Sequence, residues 1–427
     1  MKKTVIKNPL LGQYTLAVLD NGLSVYIMEK PGFNSCFASF GTKYGSIHTR
    51  FSRNGGDEIE VPAGIAHFLE HKLFESEDGD AFSRFAKTGA YCNAYTSFDK
   101  TCYIFSCTGS FDENLDILLD FVQSPYFTAE TVKKEQGIIG QEIKMYEDNP
   151  GWRVFFNMLG AMFENHPVKI DIAGTVESIA QIDDKLLYEC YNTFYNPANM
   201  FICIAGNVKT EDLLKKIEKG IKKTEPVKVS LADFAETERV SSHYVEQELE
   251  VSKPLFCLGF KDPMGCQKVS VKDRIVAGIA LEILCGDCSA LYRKLVDQKL
   301  IGEEFSAEHF QGQGYSAFVI EGETDYPEKV AQEIKDEIAR LIDGSIDEKL
   351  LSAVKKAAFG EAVKRFDSTD NIVTDMIDCA ISGGDLFDTV DILKTINAED
   401  IKECLKKMKQ ESSVLSVISP KNKKVQK

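Results

Sequence analysis

Residues 62–74, PAGIAHFLEHKLF, set two histidines and a glutamate inside one apolar segment, and that mixture constrains the chain more than any other stretch. Apolar residues at 65, 66, 68, 69, 73 and 74 suit a single helix, and Pro62 suits its first turn, where a missing N–H costs nothing. On that helix His67 and His71 stand one turn apart and point to one side, with Glu70 next to His71. Burying two imidazoles beside a carboxylate is unfavourable without a compensating partner. A divalent ion held by the two imidazoles is such a partner, and it leaves the carboxylate free. H-x-x-E-H is the inverted zinc-protease signature, in which the histidines bind Zn²⁺ and the glutamate takes a proton from metal-bound water. The competing reading is a core helix whose histidines are satisfied by ordinary hydrogen bonds; with only 6 His in 427 residues, the pairing favours the metal.

A catalytic zinc site wants a third protein ligand and an open position. Residues 131–148, TVKKEQGIIGQEIKMYED, show a helical apolar pattern and carry Glu135 and Glu142 seven residues apart. Two turns bring them to nearly one face, so one can coordinate the metal while the other supports a ligand or the base by hydrogen bonding.

HFLEH followed 71 positions later by the glutamate of GQEIKMYED resembles the pitrilysin/insulinase family of zinc peptidases, which includes the mitochondrial processing peptidase. The resemblance continues in residues 92–105, CNAYTSFDKTCYIF, similar to the family's N-A-x-T strand, and from His166-Pro167 to Gly174-Thr175, similar to its H-P…G-T segment. HKLFE and LYRKLVDQKLIGEEFS are most similar to the small bacterial YmfH-like branch. The resemblance implies that His67, His71 and Glu142 bind one zinc ion per chain, that Glu70 is the base, and that Glu135 is an outer carboxylate. It also implies that Asn93, Ala94, Tyr95 and Thr96 form a strand edge on which a peptide substrate lies extended, a mode that reads backbone more than side chains.

A chain of 427 residues is long for one core and predicts two or more domains. Strands are expected within residues 14–27, around a D-N-G turn, and at 35–45, 91–107 and 200–207. Helices are expected at 64–75, 81–87, 114–123, 131–148, 152–163 and 184–194. The second half repeats the alternation: strands at 253–261, 315–322 and 413–418, helices at 272–284, 330–342 and 350–365. The expected architecture is α+β, with two homologous domains, each a mostly antiparallel sheet covered by helices: residues 1–221 with the metal, a polar linker at 222–245, and residues 246–427 without metal.

The net charge of −16 disfavours a nucleic-acid partner, whose phosphates need a basic surface, and the basic stretch 421–427 reads as a solvated end. No run approaches 18 consecutive apolar residues and no secretory leader is evident, so a cytoplasmic protein without a membrane partner is expected, its 12 cysteines reduced. Cys285-Gly286-Asp287-Cys288 has no second pair at zinc spacing and reads as a helix-end turn; His48, His166, His243 and His309 read as structural. One departure from the family pattern matters. The family's second domain carries an arginine followed seven residues later by a tyrosine, and the corresponding positions here are Val296 and Glu303. The implied partner is a related subunit supplying that pair in a two-chain clam-shell, a heterodimer, with a homodimer as the alternative. A non-catalytic scaffold or peptide-binding subunit, or a maturation factor acting on a partner protein, are the competing functions.

Overall fold

The computed structural model describes all residues except 78, 267, 268, 303 and 422–427, so Glu303 and the basic tail after Lys421 lie outside the described residues. The chain divides by packing into two units. The first comprises Met1–Ile143, Asp171–Ala232 and Val363–Phe387; the second comprises Lys144–Ile170, Asp233–Ala362 and Asp388–Lys427.

The first unit is built on a seven-stranded sheet. Its strands are β1 (Lys2–Asn8), β2 (Gly12–Val18), β3 (Ser24–Glu29), β4 (Cys36–Thr42), β5 (Tyr91–Thr96), β6 (Thr101–Cys107) and β7 (Met200–Gly206), in the order β1-β2-β3-β7-β4-β6-β5. Only the β3/β7 pair is parallel. Central β4 and β7 are buried along their whole length, β7 as a continuous apolar run and β4 with Ser39 and Thr42 buried among apolar residues, while β5 is an edge strand with alternating exposure. The β2–β3 connection is the expected D-N-G turn: Gly22 has φ +91°, and a Cβ there would lie 2.8 Å from Ala198 Cα, so both conformation and space demand glycine.

The second unit carries a five-stranded sheet of β8 (Tyr244–Leu249), β9 (Leu255–Lys261), β10 (Phe305–Gly312), β11 (Tyr315–Glu323) and β12 (Ser413–Pro420), ordered β8-β12-β9-β11-β10. Here β8/β12 is the parallel pair and the rest are antiparallel. The orientation pattern matches that of β3-β7-β4-β6-β5 strand for strand. The two units are therefore two copies of one α+β topology, the first extended by β1 and β2.

Five helices matter below: α1 (Ile65–Leu73), α2 (Ala129–Glu147), α3 (Pro150–Met162), α4 (Val271–Cys285) and α5 (Thr369–Ser382). The packing units differ from the contiguous stretches 1–221 and 246–427 because α3 packs on β12, β9 and β8, whereas α5, encoded near the other end of the chain, packs on β7, β4 and β3. These are corresponding strands, so each half of the sequence contributes one helix to the sheet of the other half. The stretch 222–245 is not wholly irregular: Val229–Leu231 pairs with Arg50–Arg53 in a small three-stranded sheet.

Among the described residues, Val271–Asp297 alone is long and apolar enough to cross a bilayer by length and composition, with a mean hydropathy of 1.6. It breaks after Cys285 into α4 and the helix Ala290–Asp297, and eight α4 residues from Val276 to Cys285 lie in the second unit's core. Cys285 ends α4 and Ser289 caps the next helix, so the C-x-x-C stretch is the turn between them.

Candidate metal centre

The helix expected at 64–75 forms as α1, with eight of its nine residues buried. It starts later than the placement of Pro62 in its first turn predicts. Gly64 precedes it with φ 89°, a left-handed conformation that ends helical geometry, and a Cβ on Gly64 would meet Ala173 O at 2.4 Å. Pro62 therefore stands outside the helix, and the glycine sets α1 hard against the 171–175 turn.

One helical turn brings the two imidazoles face to edge, ring centroids 4.6 Å apart. α2 crosses them with Glu135 and Glu142. Glu142 Oε1 lies 3.7 Å from His67 Nε2, and Glu142 Oε2 lies 3.4 Å from His71 Nε2. Donors about 2.0–2.1 Å from a shared tetrahedral ion stand roughly 3.3–3.5 Å apart, so these separations suit one zinc-sized cation. Among the described residues, His67, His71 and Glu142 form the only group of three potential ligands whose ligating atoms lie within 4.8 Å of one another. Two nitrogens and one carboxylate oxygen form the donor set that zinc takes in catalytic sites.

The electrostatics agree with that arrangement. Burial, reinforced by the charge of His71, lowers the His67 pKa to about 3, which keeps the ring neutral and its lone pair available; its Nδ1 is buried without a hydrogen-bond partner. His71 Nδ1 donates to Glu135 Oε1 at 2.9 Å, leaving Nε2 turned to Glu142. Burial pulls the His71 pKa down, but the Glu135 hydrogen bond and the charges of Glu70, Glu142 and Glu135 outweigh it and the net shift is upward. Glu135 shifts downward: burial opposes this, and the hydrogen bond and charge of His71 prevail. Glu70 is buried, and burial raises its carboxyl pKa against the lowering effect of a hydrogen bond from Thr96 Oγ1 at 2.8 Å. A carboxyl group whose pKa is raised by burial is better suited to accepting and returning a proton than a free carboxylate.

The structure thus brings together His67, His71, Glu142, Glu135 and Glu70. The four strand residues 93–96 fall on the edge strand β5, against which α1 packs. Asn93 and Tyr95 are exposed, with Asn93 Oδ1 accepting from Ala94 N; Thr96 is half-buried and turned to Glu70. Three neighbouring residues carry no signal in the sequence. Thr101 lies against Thr96 and donates to Tyr44 O, and Lys72 is fully buried and paired with Glu75. Only strand register and helix placement reveal them. The four isolated histidines take structural hydrogen bonds: Gly45 N donates to His48, Val168 N donates to His166, His243 meets Ser413 O and His309 meets Ser316 Oγ.

Comparison with known proteins gives the family. Residues 54–176 match the family model for insulinase, peptidase family M16, and residues 181–358 match the model for the peptidase M16 inactive domain. A protein of Bacillus subtilis (strain 168) named as an uncharacterized zinc protease, YmfH, is 42% identical over 91% of this chain and 92% of its own length. The crystal structure of an M16-like peptidase from Alicyclobacillus acidocaldarius superimposes with a TM-score of 0.92 at 32% identity, covering 97% of this chain and 100% of that one. A protease from Helicobacter pylori shares the fold, with a TM-score of 0.82 at 19% identity over 98% and 100% of the two chains. Sequence, fold and the clustering of the inverted motif agree: the chain belongs to the insulinase (M16) family of peptidases.

Proposed function

We propose that this protein is a zinc-dependent metalloendopeptidase that hydrolyses peptides bound extended along β5. The observation that carries the proposal is the convergence of His67, His71 and Glu142 from two helices, with Glu70 alongside. His67 Nε2, His71 Nε2 and the Glu142 carboxylate hold the ion. Glu135 accepts the His71 Nδ1 proton and so fixes the tautomer that presents Nε2. Zinc bound there supplies a Lewis acid that polarises a peptide carbonyl and acidifies water. Glu70 takes a proton from water at its carboxylate and returns it to the leaving amine. The outer edge of β5 offers main-chain N–H and C=O groups to an extended substrate through Asn93, Ala94, Tyr95 and Thr96.

Val296, at one of the two positions where the family pattern carries the Arg/Tyr pair, is exposed and apolar and holds neither a carbonyl nor an oxyanion. This supports a second chain as the source of the pair, with the two chains closing as a clam-shell. The test combines zinc analysis and peptide hydrolysis on the chain alone and on the chain with copurifying partners. One zinc per chain that is lost in His67→Ala, together with turnover that falls by about 10²–10⁴ in Glu70→Gln while zinc is retained, supports the reading. Zinc binding without turnover in any pairing favours a non-catalytic peptide-binding subunit, and absence of zinc sinks the proposal. Full activity of the isolated chain removes the need for a partner.

A further inference from the structure

Thr96 ends the edge strand, and its side chain turns away from the open edge. Its Oγ1 donates to Glu70 Oε2 at 2.8 Å. Thr101 is its cross-strand partner in β6, directly opposite in the antiparallel register, with the two hydroxyl oxygens 3.3 Å apart. Thr101 is fully buried, and its own hydroxyl donates to Tyr44 O at 2.9 Å. Tyr44 is itself fully buried and stacked on Phe194 at 3.9 Å between ring centroids. Each hydroxyl's single proton is thereby committed, Thr96's to Glu70 and Thr101's to Tyr44 O, so Thr101 meets Thr96 through an oxygen–oxygen contact and not through a hydrogen bond.

We infer that Thr96 is a positioning residue for Glu70, and that it couples the peptide-docking strand to the catalytic base. The inference rests on the reading of Glu70 as that base. A glutamate side chain has three rotatable torsions, and Thr96 restrains them from the strand side, with its hydroxyl at Oε2 and its backbone N–H on the same carboxyl group. Because Thr96 belongs to the strand on which substrate is laid, a peptide adding its backbone to β5 presses on the residue that aims the base. The bulky substrate segment and the proton acceptor are thereby kept in one register, at the expense of the tolerance that a freely rotating glutamate would have.

The hydroxyl, not the bulk of the side chain, carries this role. Thr96→Val keeps the β-branched shape that suits the strand and removes only the donor. Thr96→Ser keeps the donor. The expected result is that kcat falls about 10- to 100-fold in Thr96→Val, as for loss of a hydrogen bond to a charged group, while KM and zinc content stay at wild-type values, and that Thr96→Ser restores most of kcat. A parallel Glu70→Ala variant separates the two claims. If Glu70→Ala still turns over, the base assignment fails; if Glu70→Ala is inactive and Thr96→Val is unaffected, only the positioning role fails. Thermal unfolding of Thr96→Val, Glu70→Ala and the double variant gives a readout independent of turnover. Coupled residues give a double-variant shift in Tm smaller than the sum of the single shifts, and additive shifts overturn the inference.

Discussion

Glu135→Gln is the perturbation that most directly tests how the metal centre is held. Glu135 is 5% exposed and its side chain accepts from His71 Nδ1 at 2.9 Å. That bond assigns the Nδ1–H tautomer and leaves His71 Nε2 as the nitrogen facing Glu142 at 3.4 Å. Glutamine keeps the length and one acceptor oxygen but deletes the charge, and its amide nitrogen can donate instead, which would favour the tautomer that blocks Nε2. Outer partners of zinc-binding histidines are worth about 10- to 100-fold in metal affinity, roughly 1.4–2.8 kcal/mol. Glu135 is buried and His71 half-buried, so solvent screens their bond only in part and the effect is expected within that range. Competition against a chromophoric zinc chelator measures it on the purified chain, with Lys133→Gln, an exposed position on the same helix, as the control. Zinc affinity of Glu135→Gln within about threefold of wild type would refute the reasoning, because the His71–Glu135 bond would then contribute nothing to ligand orientation.

Three further outcomes are expected. Gly64→Ala places a Cβ against Ala173 O in a left-handed backbone, so urea denaturation should show a loss of at least about 2 kcal/mol and zinc binding should weaken as α1 shifts. In the second unit, Glu236 accepts from Lys261 Nζ at 2.7 Å and from the backbone N–H groups of Glu164, Asn165 and His166. Burial raises its pKa, but these donors prevail and hold it below the ordinary carboxylate value of 4.5. Its stabilising effect is complete above that unfolded-state value and is lost as pH falls through the lower folded-state value, so Glu236→Gln should cost about 3–5 kcal/mol at neutral pH and show a shallower acid limb in a stability-versus-pH series. Finally, a fragment of residues 1–245 lacks α5 and should show no cooperative unfolding and strong dye binding, since Ile372, Val373, Met376 and Ile377 cover β7 and β4; a sharp thermal transition of that fragment would contradict the packing.

The clustering of the candidate metal-binding residues was largely legible because they follow helical periodicity. His67, Glu70 and His71 share one turn of α1, and the seven-residue spacing of Glu135 and Glu142 keeps both on one side of α2. The β2–β3 hairpin was legible for a similar local reason, since Asn21-Gly22 admits few backbone conformations. The exchange of α3 and α5 was not. An amphipathic pattern reports that a helix has an apolar face and carries no mark of which sheet receives it. Strand β1 escaped notice because it is largely exposed and shows little apolar alternation, and the edge strands β8 and β10 because their burial is partial. The contact between Thr96 and Glu70, 26 residues apart, depends on the register of β5 against β6 and on how α1 lies across them. Neither is written in a local pattern.

The duplication explains why the chemistry can sit in one copy alone. α1 occupies the connection between β4 and β5, and α4 occupies the equivalent connection between β9 and β10. The buried positions of α4 from Val276 to Cys285 are all apolar or cysteine and merge into one hydrophobic core. The buried positions of α1 include His67, Glu70 and Lys72, three ionisable groups in a nine-residue helix. Each such group costs stability unless partnered. Glu70 is partnered by Thr96 and Lys72 by Glu75, while half-buried His71 is held by Glu135. His67 is the exception, since its Nδ1 has no partner and its Nε2 faces a carboxylate across 3.7 Å. A fold with two equivalent positions can leave one as ordinary core and load the other with ionisable groups. A cation between His67 Nε2 and Glu142 would fill that 3.7 Å gap and leave the Nδ1 unpartnered, so the cost of burying His67, the residue that opens the inverted motif, is offset at one nitrogen only.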